Sequence, residues 1–392
     1  MANSLYIHIP FCRRKCLYCD FYSVVHDDAT AKAYPGPEAR DGRAFQRKDQ
    51  AYVDALLAEI ERLDGRFETV YIGGGTPTVL DNKLLDRLLQ GLGKNLSDST
   101  EFTIEANPES LDLNKLDILL GCGVNRLSIG LQSLDDRILK KLGRIHDARR
   151  GADAVRLAAK KGFSNISADL IFGVWGEEPK HWESQLEEAT KLPLKHISAY
   201  ALTYEKKTPL FDALKNKSVT PLEDETVAAM YEAAIDRLAL RGFKQYEVSS
   251  FAKEPFQCRH NLSYWENNPY IGLGASAVSY SGGVRTKNVA SVSEYIARAQ
   301  DGRPLAESSE KLSPLRRAKE TAAIKIRTKD GIGFAWFKEK TGFDFMELEG
   351  KAVAGLIDKD LIKYRKEGSA PTGIALKRKG FLFCDTVSST LL

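Results

Sequence analysis

With 392 residues the chain is long enough for two or three domains and a large buried core. Its composition, 43% hydrophobic and 28% charged with 30 Gly and 14 Pro, excludes collagen-like, low-complexity and wholly disordered classes. A formal net charge of +4, from 57 basic and 53 acidic residues, is too balanced for nucleic-acid binding by the whole chain, and six Cys are too few for a disulfide scaffold.

Residues 1–10 show no basic region followed by an apolar stretch, and no run approaches the roughly 18 apolar residues of a membrane span, so a cytoplasmic location is expected. Short β-rich runs then alternate with helical patterns: strands over Leu5–Ile9, Thr69–Ile72, Glu101–Glu105, Arg126–Ile129, Asn165–Ile171 and His196–Ala201. Between the first two, residues 26–50 hold no Leu, Ile, Val or Met and contain Pro35-Gly36-Pro37, which predicts a polar loop insertion. Tyr52, Leu56, Ile60 and Leu63, then Leu84, Leu85, Leu88, Leu89 and Leu92, repeat at helical spacing. Six βα units predict an α/β fold with a partial (β/α)6 TIM-like barrel over 1–250, its chemistry at the C-terminal strand ends. A connector over 251–310 follows. Helices over 311–328, 331–342 and 345–364 and a hairpin over 373–382 predict a mostly helical, winged-helix-like domain at 311–392.

Cys12, Cys16 and Cys19 form a C-x3-C-x2-C loop directly after the first strand. Close spacing lets one tight loop aim three thiolates at an iron–sulfur core, leaving one iron open. Structural zinc on the three Cys plus His8 or His26, and plain structural or reactive thiols, remain open on spacing alone. Tyr71-Ile72-Gly73-Gly74-Gly75-Thr76-Pro77 ends the second strand in glycines, where backbone can approach a ligand; Thr78 stands where a dinucleotide fingerprint needs its last glycine. Glu105 closes the third strand, where its carboxylate can accept from hydroxyls. Gln132 follows the fourth strand, Arg144 can pair with a carboxylate, and Asp169, in an apolar strand, needs a polar partner. Cys258-Arg259-His260-Asn261-Leu262-Ser263-Tyr264-Trp265 offers an imidazole beside aromatic rings that could cover a flat macrocycle, or an ordinary hydrogen-bonding His.

The cysteine loop after the first strand of a partial barrel resembles the radical S-adenosylmethionine (SAM) superfamily. The run Tyr6-Ile7-His8-Ile9-Pro10-Phe11-Cys12 with Cys19-Asp20-Phe21 is similar to the HemN/HemW branch, which comprises oxygen-independent coproporphyrinogen III oxidases and HemW-type heme chaperones, over nearly the whole chain. The resemblance implies a [4Fe-4S] cluster on Cys12, Cys16 and Cys19. It implies S-adenosyl-L-methionine against Tyr6, Tyr18, Gly74, Gly75, Thr76, Glu105, Gln132, Arg144 and Asp169. The H-N-x-x-Y-W run implies heme on His260. Oxidases of the branch carry a fourth Cys where this chain has Phe21, so heme carriage to recipient hemoproteins, membrane-associated ones included, is expected over oxidation of coproporphyrinogen. A radical oxidase or related methyltransferase is the alternative. Val278 stands where relatives commonly have His. The basic runs at 311–330 and 361–380 read as solvated faces, so no nucleic acid is expected; a homodimer is left open.

Overall fold

A computed structural model describes residues 2–25 and 42–392. Six parallel strands form its centre: β1 (Ser4–Ile9), β2 (Thr69–Gly74), β3 (Glu101–Ala106), β4 (Arg126–Gln132), β5 (Asn165–Phe172) and β6 (His196–Ala201), each paired with the next. The residue pattern explains both faces. Leu5, Ile7 and Ile9, Val70 and Ile72, Leu127, Ile129 and Leu131, and Ile166, Ala168 and Leu170 are fully buried. The intervening set is polar: Tyr71, Glu105, Arg126, Ser128, Gly130, Asp169 and Ser198 line a cavity. Strand alternation therefore separates an apolar layer under the helices from a polar barrel interior.

Helices α1 (Gly42–Glu61), α2 (Asn82–Gly91), α3 (Leu113–Gly121), α4 (Asp136–Leu142), α5 (Ala148–Lys161), α6 (Pro179–Thr190) and α7 (Asp224–Ala239) make the crossovers. Aspartates cap four of them: Asp81, Asp112, Asp135 and Asp147 accept from the free amides of the first turn. Gly42–Gln50, expected in a loop, is the first part of α1; the remainder of that expectation lies outside the described residues.

The sheet does not close. Its order runs to twelve strands, with β7 (Ser250–Ala252) antiparallel to β6 and β8 (Tyr270–Leu273) parallel to β1 on the other edge. Beyond β8, strands Val278–Ser281, Val284–Asn288 and Ala306–Lys311 continue it antiparallel. The segment expected as a connector thus contributes strands to both edges of the sheet. Between β7 and β8 a short helix, α8 (Arg259–Trp265), is held at the N-terminal strand ends, where Glu101 accepts from the amides of Arg259 and His260 at 3.0 Å each.

The C-terminal region carries helices Pro314–Lys325, Phe334–Thr341 and Phe345–Asp358 and a hairpin of Ile362–Glu367 with Ala370–Leu376. The hairpin begins earlier than expected, because Ile362–Glu367 is a strand rather than the end of a helix, and Arg378–Leu382 is helical. Ile332–Gly333 adds a third strand, giving the helix, strand, helix, helix, hairpin order of a winged helix. No helix among the described residues is long and apolar enough to cross a membrane.

Candidate functional site

Pro10 ends β1, and Phe11–Cys12 pairs in parallel with Val24–Val25, drawing residues 13–23 into a closed loop. Leu17 pins that loop from both sides: its amide donates to the Leu142 carbonyl at 3.3 Å and its carbonyl accepts from the Leu210 amide at 3.0 Å. Gly143, left-handed at φ 76°, ends α4 against it; a Cβ there would stand 2.9 Å from the Leu17 side chain. The loop presents Cys12, Cys16 and Cys19 to a cavity of about 420 Å³ at the C-terminal strand ends. All three are free thiols, and burial raises Cys12 and pushes Cys19 up to about 11.

The loops after β2 and β3 and the turn after α4 join Cys12 to Cys16 through a chain of contacts. The Cys12 Sγ lies 3.6 Å from Thr76 Oγ1, which accepts from Asn107 Nδ2 at 2.7 Å; Asn107 Oδ1 accepts from Arg144 Nη2 at 2.5 Å, and Arg144 Nη1 donates to Cys16 Sγ at 3.2 Å. Burial works against the Arg144 charge, but Cys16, Tyr18 and Glu109 around it hold its pKa above the ordinary value. Its buried Nε has no partner within the protein, leaving one donor for a ligand. Gly75 is wedged against the loop, where a Cβ would fall 2.6 Å from the Phe11 carbonyl oxygen and 3.0 Å from Cys12 Sγ.

Deeper in the cavity, Glu105 Oε1 accepts from the Tyr71 hydroxyl at 2.8 Å and Oε2 from the Gly74 amide at 3.1 Å. Burial pushes its carboxyl up to about 7, so the stability that its protonated form contributes is full below its ordinary 4.5 and is lost as pH rises through 7. Asp169 is likewise raised by burial and accepts from Ser128 at 3.2 Å. Gln132 follows an irregularity in the pairing of β4 with β5 and takes φ 63°, an uncommon conformation for a side-chain-bearing residue that aims it at the cavity. The donor set suits the group implied by sequence: three thiols for an iron–sulfur core, a glycine turn with no room for side chains, carboxylates for hydroxyls and a spare guanidinium donor for a carboxylate. It suits mononuclear zinc poorly. His8 Nε2 donates to the Tyr22 carbonyl at 2.9 Å while Nδ1 accepts from Tyr6 at 3.0 Å, and among the described residues no three His, Cys, Asp or Glu converge on one ion. His26 lies outside the described residues.

Tyr18, Gly74, Gly75, Thr76, Glu105, Gln132, Arg144 and Asp169 all line this cavity with the three cysteines. Tyr6 does not. It shares the inward face of β1 with His8, one layer down, and stacks on Tyr71 with ring centroids 6.3 Å apart. Nor does His260 reach it: the imidazole is buried beneath Tyr71, its ring stacked at 5.1 Å, with Nδ1 2.8 Å from Thr69 Oγ1 and Nε2 2.9 Å from the Tyr264 hydroxyl. Burial, then the Arg126 charge, lowers its pKa to about 3, so it is neutral. Sequence reasoning missed Asn107, Tyr71 and Arg126. Asn107 looked like a plain Asn-Pro turn, and only strand parity with Glu105 would have pointed to the other two.

Residues 6–189 match the family model described as the radical SAM superfamily. The chain is 36% identical to the heme chaperone HemW of Bacillus subtilis (strain 168) over 92% of both proteins. It is 31% identical to HemW of Mycobacterium tuberculosis (strain H37Rv), covering 99% of this chain and 94% of that protein. Among solved structures, the radical SAM coproporphyrinogen III oxidase HemN of Escherichia coli superposes with a TM-score of 0.81 at 20% identity, over 99% of this chain and 89% of that one.

Proposed function

This chain belongs to the HemW family within the radical SAM superfamily, and from that membership together with the cavity geometry we propose that it carries heme to recipient hemoproteins while holding a [4Fe-4S] cluster and SAM. The observation that carries the reading is the contact chain from Cys12 through Thr76, Asn107 and Arg144 to Cys16, which binds cysteine loop and cofactor cavity into one unit. In it, Cys12, Cys16 and Cys19 hold the cluster. Gly74, Gly75 and Thr76 present backbone to the methionyl end of SAM, Arg144 takes its carboxylate, and Glu105, Gln132 and Asp169 take the polar edge of its nucleoside; Tyr18 closes one wall. When bound, a reduced cluster supplies an electron at low potential.

His260 is the residue that would hold heme, through its imidazole. Thr69 donates its hydroxyl proton to Ser4 at 3.0 Å, so it accepts from His260 Nδ1, and the lone pair is on Nε2, covered by Tyr264. Tyr264 lies on α8 with His260, and both nitrogens of this buried imidazole are paired, so the ring offers no open position to a heme iron where it is seated.

Phe21 favours carriage over porphyrinogen oxidation, because it is 64% exposed at the cavity mouth and supplies no ligand where the branch's oxidases have a fourth Cys. The test runs two assays on one anaerobic preparation: heme transfer to an apo-hemoprotein, and incubation with coproporphyrinogen III, SAM and a reductant. Transfer without protoporphyrinogen is the expected result; protoporphyrinogen production without transfer would reverse the assignment.

A further inference from the structure

The contact chain between Cys12 and Cys16 has a direction, and the chemistry of its members fixes it. A guanidinium carries donors and no acceptor, so the Asn107 atom that meets Arg144 Nη2 at 2.5 Å is Oδ1, and Nδ2 is turned to Thr76 Oγ1 at 2.7 Å. Thr76 therefore accepts on its Asn107 side and keeps its own proton for its other neighbour, Cys12 Sγ at 3.6 Å. At the opposite end Arg144 Nη1 donates to Cys16 Sγ at 3.2 Å. One side-chain amide thus directs a donor onto each of two sulfurs.

That amide is firmly held. Ser110 Oγ donates to the Asn107 carbonyl at 2.8 Å and accepts from its backbone amide at 3.3 Å. Arg144 Nη2 makes a second bond, to the Gly130 carbonyl at 3.0 Å, and a Cβ on Gly130 would stand 2.8 Å from Asn107 Oδ1, so no side chain fits there. Thr76 is 1% exposed, which keeps bulk water from its hydroxyl. At Cys12, burial raises the thiol pKa, and the hydroxyls of Thr76 and then Ser23 oppose it. Cys19, which the chain does not reach, is met by the backbone amide of Phe21.

We propose that Asn107 is a positioning residue that sets the reduction potential of the cluster, by aiming Thr76 at Cys12 and Arg144 at Cys16. This rests on the reading of Cys12, Cys16 and Cys19 as cluster ligands and adds how two of their thiolates are tuned. A hydrogen bond to a coordinating thiolate withdraws electron density from it, so one-electron reduction by a low-potential donor becomes easier and the potential rises. The Arg144 charge acts in the same sense, in a buried setting where little water screens it.

The test is a redox titration with dithionite and mediators, followed by electron paramagnetic resonance, on anaerobically reconstituted protein without SAM. Thr76→Val keeps the side-chain shape and removes the hydroxyl, so its midpoint should fall below that of wild type; Thr76→Ser, which keeps the hydroxyl, should hold the wild-type value. Asn107→Asp has no donor for Thr76, so the hydroxyl turns from Cys12 to the carboxylate and the midpoint should fall further. A wild-type midpoint in Thr76→Val and Asn107→Asp at full cluster content would overturn the tuning and leave the ligand reading intact. A midpoint that moves in Thr76→Val alone would remove Asn107 from the role. Loss of the cluster from both variants would also overturn it, giving the chain a part in assembly instead. Wild-type protein that takes up no cluster would remove the ligand reading, and the tuning with it.

Discussion

Replacing Cys12, Cys16 or Cys19 singly with Ala should abolish cluster loading while leaving the protein folded. The loop does not depend on its thiols for its shape. It is closed by pairing of Phe11–Cys12 with Val24–Val25 and pinned by Leu17 to Leu142 and Leu210, all backbone interactions that an Ala retains. Each sulfur instead faces a cavity, and a cluster held by three protein ligands cannot spare one. After anaerobic reconstitution with iron and sulfide, each variant should show near-background visible absorbance and bound iron, with thermal unfolding close to wild type. Wild-type cluster content in any of the three would remove that cysteine from the ligand set.

Gly75→Ala should come next in effect. Its new Cβ meets the Phe11 carbonyl oxygen at 2.6 Å and the Pro10 carbonyl carbon at 2.9 Å, backbone atoms that cannot rotate away, as well as Cys12 Sγ at 3.0 Å. The glycine turn and the cysteine loop must therefore separate. Overpacking of this kind costs about 1–3 kcal/mol, which corresponds to roughly five- to 150-fold in affinity for a ligand bridging the two. Equilibrium dialysis of SAM against the cluster-loaded variant checks this. Undiminished affinity would show that the turn and loop do not clamp one ligand.

The barrel was legible because burial imposes a period. Leu127, Ile129 and Leu131 alternate with Arg126, Ser128 and Gly130, and every expected strand end lies within three residues of the observed one. The sheet extension after Tyr270 was not, since Val284–Asn288 and Ala306–Lys311, the latter at the sheet edge, are largely polar strands whose pairing, not composition, makes them strands. At the site, eight of the expected SAM residues line the cavity, most of them at or just past the C-terminal ends of strands, with Asp169 inside β5 and Arg144 just after α4. Tyr6 lies one layer beneath the cavity it was expected to line, because facing a cavity and lying one layer beneath it look alike in sequence. The Cys12-to-Cys16 contact chain was likewise invisible: Asn107 and Arg144 are 37 residues apart and meet through the parallel pairing of β3 and β4 and the turn that α4 makes after them.

The central claim is that the three cysteines and the neighbouring cavity form one composite site. Electron paramagnetic resonance of the reduced, anaerobically reconstituted protein, recorded before and after SAM is added, tests it most directly. A cluster signal whose g values shift on SAM addition, with the shift weakened in Arg144→Gln, is the predicted result. Stoichiometric zinc without sulfide, or a cluster signal indifferent to SAM, would contradict it.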